Sequence, residues 1–377
     1  MKVPVARPLF SSEVETNISS ALNDKAISGL FGKHLIEFEE GFAAFCNTKY
    51  AISCSSGTSA LHLALAAHGI KKGDEVLVSS LTNMASFFAV LYLGAVPVPI
   101  DIELDTLNID YKDLKNKISA KTKAIMVVHL FGHPVDMDPI LELADRMNIP
   151  VFEDCAEAHG AEYNGKRVGG IGRAGCFSFF ANKILTTGEG GMVTTNDEEL
   201  AKKVRSLKSL AFGTKDKFQH ESVGFNYRMT NIQAAIGCEQ VKNADKLINR
   251  RIEISNFYNS KLKKYSKYIL FPKEKSYAKN VYWMFHMVLD PSEKLYNLRD
   301  SILDDLSKVG IETRQGFVPF NLQNIFIKEK LTNPEDCPVA ASTASASFYI
   351  PSGPDISKDE LDYVVSQFSL ILDRYLN

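Results

Sequence analysis

The sequence predicts an α/β protein, a large domain on a mixed, mostly parallel sheet followed by a smaller α+β domain at the C-terminus. Two observations carry this. Between residues 50 and 200 short β-branched runs recur (YAISCS, DEVLVSS, AVPVPID, KAIMVVHLFG, PVFEDCAEA, GCFSFFA, GMVTTND), and helical periods such as SALHLALAAHG and MDPILELADRMN lie between several of them. Strands alternating with helices form a mostly parallel sheet covered on both faces. After residue 240 the texture changes to longer, charged helical stretches with few strands. We set the boundary at 245/246: 1–245 is the large domain with an N-terminal arm, and 246–377 the smaller domain. A chain of 377 residues is long enough for two cores.

Each element follows from its local pattern. Met84 to Ile100 is nearly all apolar, but Ser86, Gly94, Pro97 and Pro99 interrupt it. It also falls short of the roughly 20 residues of a membrane span. It reads as a buried helix that turns at Gly94 into a strand. The last two runs leave no room for a helix between them, so part of the sheet is antiparallel or joined by tight loops. KNADKLINRRIEISNFYNSKLKKYSKY reads as one long charged helix, YWMFHMVLD as a strand, and RDSILDDLSKVG as a helix stopped by Gly310. The Ala/Ser run at 340–347 reads as helical, and KDELDYVVSQFSLILDRYL is an amphipathic helix.

Composition narrows the function. The chain is 45% hydrophobic and 23% charged with a net charge of −2, an ordinary soluble composition with no bulk attraction to nucleic acid or anionic membranes. Six scattered cysteines without a CxxC pair fit reduced thiols in a cytoplasm rather than a disulfide framework or zinc site. MKVPVARPLFSSEVE holds no apolar core of signal-peptide length. No metal, membrane or nucleic-acid partner is expected, and no GxGxxG follows a strand, against a dinucleotide-binding dehydrogenase.

Three motifs carry chemistry. In SCSSGTSALHLAL a strand runs through small residues into a helix; first-turn N–H groups with the Thr58 and Ser59 hydroxyls make an anion site, or Ser/Thr simply caps the helix. In VFEDCAEAHGA, Asp154 ends an apolar strand, where ligands bind in open α/β sheets. It is a structural cap, a metal ligand or a cofactor partner, and strand alternation points Glu153 away from it. In GCFSFFANKILTTGEGGMV a buried strand runs into Asn182 and Lys183, ahead of a glycine-rich loop. A desolvated lysine is a nucleophile suited to Schiff-base formation, whereas an ordinary one reaches solvent. The order phosphate nest, strand-end Asp, strand-end Lys is what pyridoxal 5′-phosphate (PLP) requires.

On EDCAEAHGA, FSFFANKILTTGEGGMVTTND and VGFNYRMTNIQAAIG, the sequence resembles the sugar aminotransferases of the DegT/DnrJ/EryC1/StrS family, particularly its GDP-perosamine synthase branch, over almost the whole chain. The resemblance implies the fold-type-I aminotransferase architecture. It also implies that Gly57, Thr58 and Ser178 contact the cofactor phosphate, that Asp154 pairs with the pyridine nitrogen, and that Glu157 lies near the cofactor hydroxyl. Lys183 becomes both Schiff-base lysine and proton shuttle. Asn226 reaches the phosphate from the neighbouring subunit of a homodimer with shared sites. The implied reaction moves an amino group from L-glutamate to a keto group of a nucleotide-activated 4-keto-6-deoxy sugar, as in polysaccharide biosynthesis.

Two positions depart from the family pattern. Asn83, in SSLTNMASFF, stands where relatives carry an aromatic residue that stacks on the pyridine ring, so Phe87 or Phe88 replaces it or the face is polar. Asn321, in VPFNLQ, stands where a histidine near the sugar is usual, while Arg314 is retained and can hold a phosphate or carboxylate. The acceptor therefore has an alternative, a small phosphorylated ketone such as dihydroxyacetone phosphate, or a cyclitol ketone. A PLP-dependent sugar dehydratase would carry histidine in place of Lys183, and a regulator of this fold would add a DNA-binding segment that is not visible here.

Overall fold

The computed structural model describes residues 1–213, 215–220 and 222–377. Its larger sheet has seven strands: β1 (Tyr50–Cys54), β2 (Glu75–Ser79), β3 (Val96–Ile100), β4 (Thr122–Val128), β5 (Val151–Asp154), β6 (Ala174–Ser178) and β7 (Gly191–Thr195). Their order is β1-β7-β6-β5-β4-β2-β3. Strands β3, β2, β4, β5 and β6 are mutually parallel, and β7 runs antiparallel between β6 and β1. Residues 179–190 form a loop rather than a crossover helix, so β7 must return beside β6. That loop carries Lys183.

The expected helix Ala85–Leu91 turns through Gly94 (φ 69°) into β3, a left-handed conformation that glycine adopts without cost. No helix among the described residues is long and apolar enough to cross a membrane. Where β6 ends, Phe179 packs edge-on against Phe38 and Phe42 at 5.0 and 5.2 Å between ring centres. Such pairs contribute about 0.5–1.5 kcal/mol each beyond their buried area. They fix the strand end from which the Lys183 loop departs.

The long charged segment forms one helix over Ala244–Leu262, set off from a separate preceding helix, Asn231–Lys242. Asn243 lies between them at φ −98°, ψ 9°, and its side-chain amide donates to the Glu239 carbonyl at 2.8 Å, a local bond that competes with the helical ladder. The second helix leads to a four-stranded antiparallel sheet of β8 (Ile269–Leu270), β9 (Phe285–Leu289), β10 (Arg314–Gln315) and β11 (Ser347–Ile350), ordered β8-β9-β11-β10. Strand β9 starts later than YWMFHMVLD suggests. The preceding backbone is drawn to the larger sheet's loops, where Val281 and Trp283 N–H groups donate to the carbonyls of Gly132 (3.2 Å) and Phe131 (3.1 Å). The Ala/Ser run is helical over Pro338–Ala344 and becomes β11 at Ser347. The first residues, grouped above with the larger domain, pack on this C-terminal unit instead. Val3 bridges Ile311, and Arg7 pairs with Asp355 at 3.0 Å and Glu360 at 2.7 Å.

Candidate active site

Asp154 is the last residue of β5, and strand alternation sends its neighbour to the other side. Glu153 there accepts N–H groups of Gly169 (2.8 Å), Ile171 (2.9 Å) and Gly172 (2.7 Å). His129 completes the set. Its Nδ1 accepts from Val135 N–H at 3.0 Å, so Nε2 carries the proton and donates to Glu153 at 3.2 Å. Asp154 faces the opposite way, 4% exposed, and accepts from Ser86 Oγ at 2.8 Å and Ala156 N–H at 3.1 Å. Burial raises its pKa above the ordinary aspartate value, while the two hydrogen bonds and Lys183 act against that rise.

Lys183 approaches from the β6–β7 loop. Its Nζ lies 3.5 Å from Glu157 Oε1 and 3.8 Å from the centre of the Trp283 ring. Glu157 is held in turn by Phe131 N–H, which donates to Oε2 at 2.9 Å from a residue in the left-handed region (φ 51°). That conformation is strained for a phenylalanine, and stacking of its ring 4.0 Å from His286 secures it. Burial lowers the Lys183 pKa, against the pull of Glu157 and Asp154, and raises that of Glu157. Burial thus weakens the lysine's hold on its proton.

The third component is the start of helix Gly57–His68. Ser56 and Ser59 form a reciprocal cap, Ser59 N–H to Ser56 Oγ at 3.1 Å and Ser56 N–H to Ser59 Oγ at 2.9 Å. Ser59, expected among the anion-binding hydroxyls, is therefore committed to the cap. The N–H groups of Gly57 and Thr58 are first-turn donors without an intrahelical acceptor. A Cβ on Gly57 would lie 2.7 Å from Ser178 Cβ, so glycine alone lets this turn close against β6.

These parts line one cavity of about 330 Å³, which holds Gly57, Thr58, Asn83, Asp154, Glu157, Ser178 and Lys183. Asn182, Trp283, Phe317 and Tyr349 complete it. Three other expected residues lie outside. Asn226 is exposed and bridges Ser209. Arg314 is exposed on β10 and paired with Glu312 at 2.5 Å. Asn321 is fully buried outside the cavity, accepting from Ser80 Oγ at 2.9 Å and donating to the Pro334 carbonyl at 2.6 Å, so its amide joins the end of β2 to the Pro334 turn. Neither Phe87 nor Phe88 replaces the missing aromatic. Phe87 stacks on Phe320 at 4.1 Å, and Phe88 faces Phe326. The face at this position is the polar one, Asn83. The sequence reading missed Ser86, Trp283 and Tyr349. A serine in an otherwise apolar helix and the chain's single tryptophan were the available signals.

The cavity suits PLP. Free helix N–H groups, Thr58 and Ser178 could hold a phosphate at one end, and Asp154 could face a ring nitrogen at the other. Lys183 lines the same cavity, and Asn182 Oδ1, on the wall, is buried without a partner. Fold and site together define a PLP-dependent aminotransferase. The chain belongs to the DegT/DnrJ/EryC1/StrS aminotransferase family, which it matches over residues 10–369. It is 40% identical to a GDP-perosamine synthase of Caulobacter vibrioides, over 98% of both chains. An aminotransferase structure from Psychrobacter cryohalolentis is 33% identical and superposes at a TM-score of 0.91, covering 98% of this chain and 99% of that one. Spr1654 of Streptococcus pneumoniae, solved in its PLP form, is 25% identical with a TM-score of 0.93 over 100% of each chain.

Proposed function

We propose that the protein transfers an amino group from L-glutamate to the keto carbon of a nucleotide-activated 4-keto-6-deoxy sugar. One observation carries the chemistry: a buried lysine amine between Glu157 and the Trp283 ring, in the cavity that Asp154 lines. When bound, PLP supplies the electron sink that lets a hydrogen beside the nitrogen leave as a proton. Lys183 Nζ would hold the cofactor and, in each half-reaction, would move a proton between the substrate carbon bearing the nitrogen and the cofactor. Asp154, steadied by Ser86 and Ala156, keeps the ring nitrogen protonated. Glu157, oriented by Phe131 N–H, hydrogen-bonds the cofactor hydroxyl. Gly57, Thr58 and Ser178 bind the phosphate, and Trp283 shields the lysine from water.

The kinship with a GDP-perosamine synthase supports the sugar-nucleotide acceptor. The ion pair of Arg314 with Glu312 argues against a compact anion site for a small phosphorylated ketone. With glutamate as donor, kcat/KM for a GDP- or dTDP-4-keto-6-deoxy sugar is expected to exceed that for dihydroxyacetone phosphate by about 100-fold or more, because the remote nucleotide supplies orienting energy. Equal values would overturn the acceptor and leave the transaminase chemistry standing.

The same reading makes the active unit a homodimer in which Asn226 of the partner subunit completes the phosphate site. Asn226 is exposed, and Leu30 (60%), Phe31 (60%) and Ile36 (61%) leave an apolar surface exposed on one subunit. Mixing inactive Lys183→Ala and Asn226→Ala subunits should restore part of the activity, since each heterodimer keeps one intact site. A fully active monomer on size-exclusion chromatography would contradict the shared site. All six cysteines are free and buried, which supports a reducing, cytoplasmic setting.

A further inference from the structure

Arg251 lies on the buried stripe of helix Ala244–Leu262 and is 2% exposed. Its guanidinium donates to three backbone carbonyls: Trp283, Ser352 at 3.4 Å and Asn182 at 3.5 Å. The Asn182 carbonyl also accepts the Trp283 indole N–H at 2.9 Å. The residue before Lys183 and the residue covering Lys183 are therefore held by one side chain. No carboxylate among the described residues offsets its charge, and Nε has no partner. Half-buried Lys208, by contrast, is paired with Glu39 at 3.1 Å.

We infer that Arg251 is a positioning residue for Lys183: its fork fixes the lysine loop against Trp283, and its uncancelled positive charge opposes a second one on the lysine amine. Backbone carbonyls satisfy guanidinium donors without neutralising them, and burying such a charge is costly unless it is used. The charged and titratable groups around the Lys183 amine are Glu157, Asp154, His159 and Arg251. The two carboxylates favour the ammonium, while burial and Arg251 oppose it. His159 is pushed down to about 3 by burial, with Lys183 and Arg251 adding to the effect, so it stays neutral. Arg251 thus adds to burial in opposing the charge on the lysine amine, against the pull of the two carboxylates.

This role rests on Lys183 carrying the cofactor, and its test separates the two ideas. Trp283 is the only tryptophan, so intrinsic fluorescence reports the residue that covers Lys183. Wild type, Arg251→Met and Arg251→Lys are titrated with pH, following cofactor absorbance in the holoenzyme and Trp283 emission in the cofactor-free full chain. In Arg251→Met both midpoints should rise by about 1 pH unit, the size of shift a nearby like charge produces. Arg251→Lys keeps the charge but loses the fork, so its midpoints should stay near wild type while Trp283 emission shifts red and acrylamide quenches it more. Unmoved midpoints in a folded Arg251→Met protein overturn the electrostatic role. Wild-type emission and quenching in Arg251→Lys overturn the clasp, and that variant decides alone if Arg251→Met does not fold. If wild-type holoenzyme shows no cofactor attached at Lys183, the functional reading fails while the cofactor-free titration still tests Arg251.

Discussion

Lys183→Ala is expected to lower amine transfer by about 10⁴-fold or more, because one side chain both holds the cofactor and moves the proton. The amine lies 3.5 Å from Glu157 and 3.8 Å from the Trp283 ring centre. Borohydride treatment of the yellow holoenzyme should fix the cofactor on the peptide containing Lys183, read by mass spectrometry. A label on any other lysine, or a Lys183→Ala enzyme within tenfold of wild type, would remove the basis of the assignment. The variant should still fold, since the Lys183 side chain only lines the cavity wall and the loop is held by backbone contacts to Asn182.

Asp154→Asn should bind PLP yet slow the first half-reaction with glutamate by about 10³-fold, the scale on which loss of one preorganised electrostatic contact to developing charge is felt. The neutral amide keeps the shape and can accept from Ser86 but cannot hold the ring nitrogen protonated. Stopped-flow spectra after mixing with glutamate give the rate, and a near-normal rate would exclude the role. The pH dependence has a definite sign. Burial raises the Asp154 pKa in the cofactor-free protein, and a cationic ring nitrogen opposes that rise. Cofactor affinity should therefore fall as pH drops through the Asp154 pKa, because the protonated carboxyl loses the ion pair, and Asp154→Asn should abolish this dependence.

The sequence by itself determined the larger sheet and named several of the residues that line the cavity. Strands buried on both faces read as unbroken apolar runs, and a charged residue at the end of such a run stands out as a cap, a solvent-reaching group or a ligand-facing one. Asp154 and Lys183 were legible for that reason, as was Gly57 at the strand-to-helix turn. Tertiary structure decided what depends on pairing between distant segments. Asn321 looked like a substrate contact from its place in the chain, yet its amide is used by Ser80 and Pro334. Ser59 looked like an anion ligand and serves as half of a helix cap. Trp283 was read as strand, but hydrogen bonds to the Phe131 carbonyl and from Arg251 pull it to the lysine. Arg251 lay unremarked in a segment that read as one long charged helix. Helical period shows which positions share a face, but only the packed fold shows that this face is turned to the protein interior, where an arginine without an anion is held next to a lysine that must lose its proton.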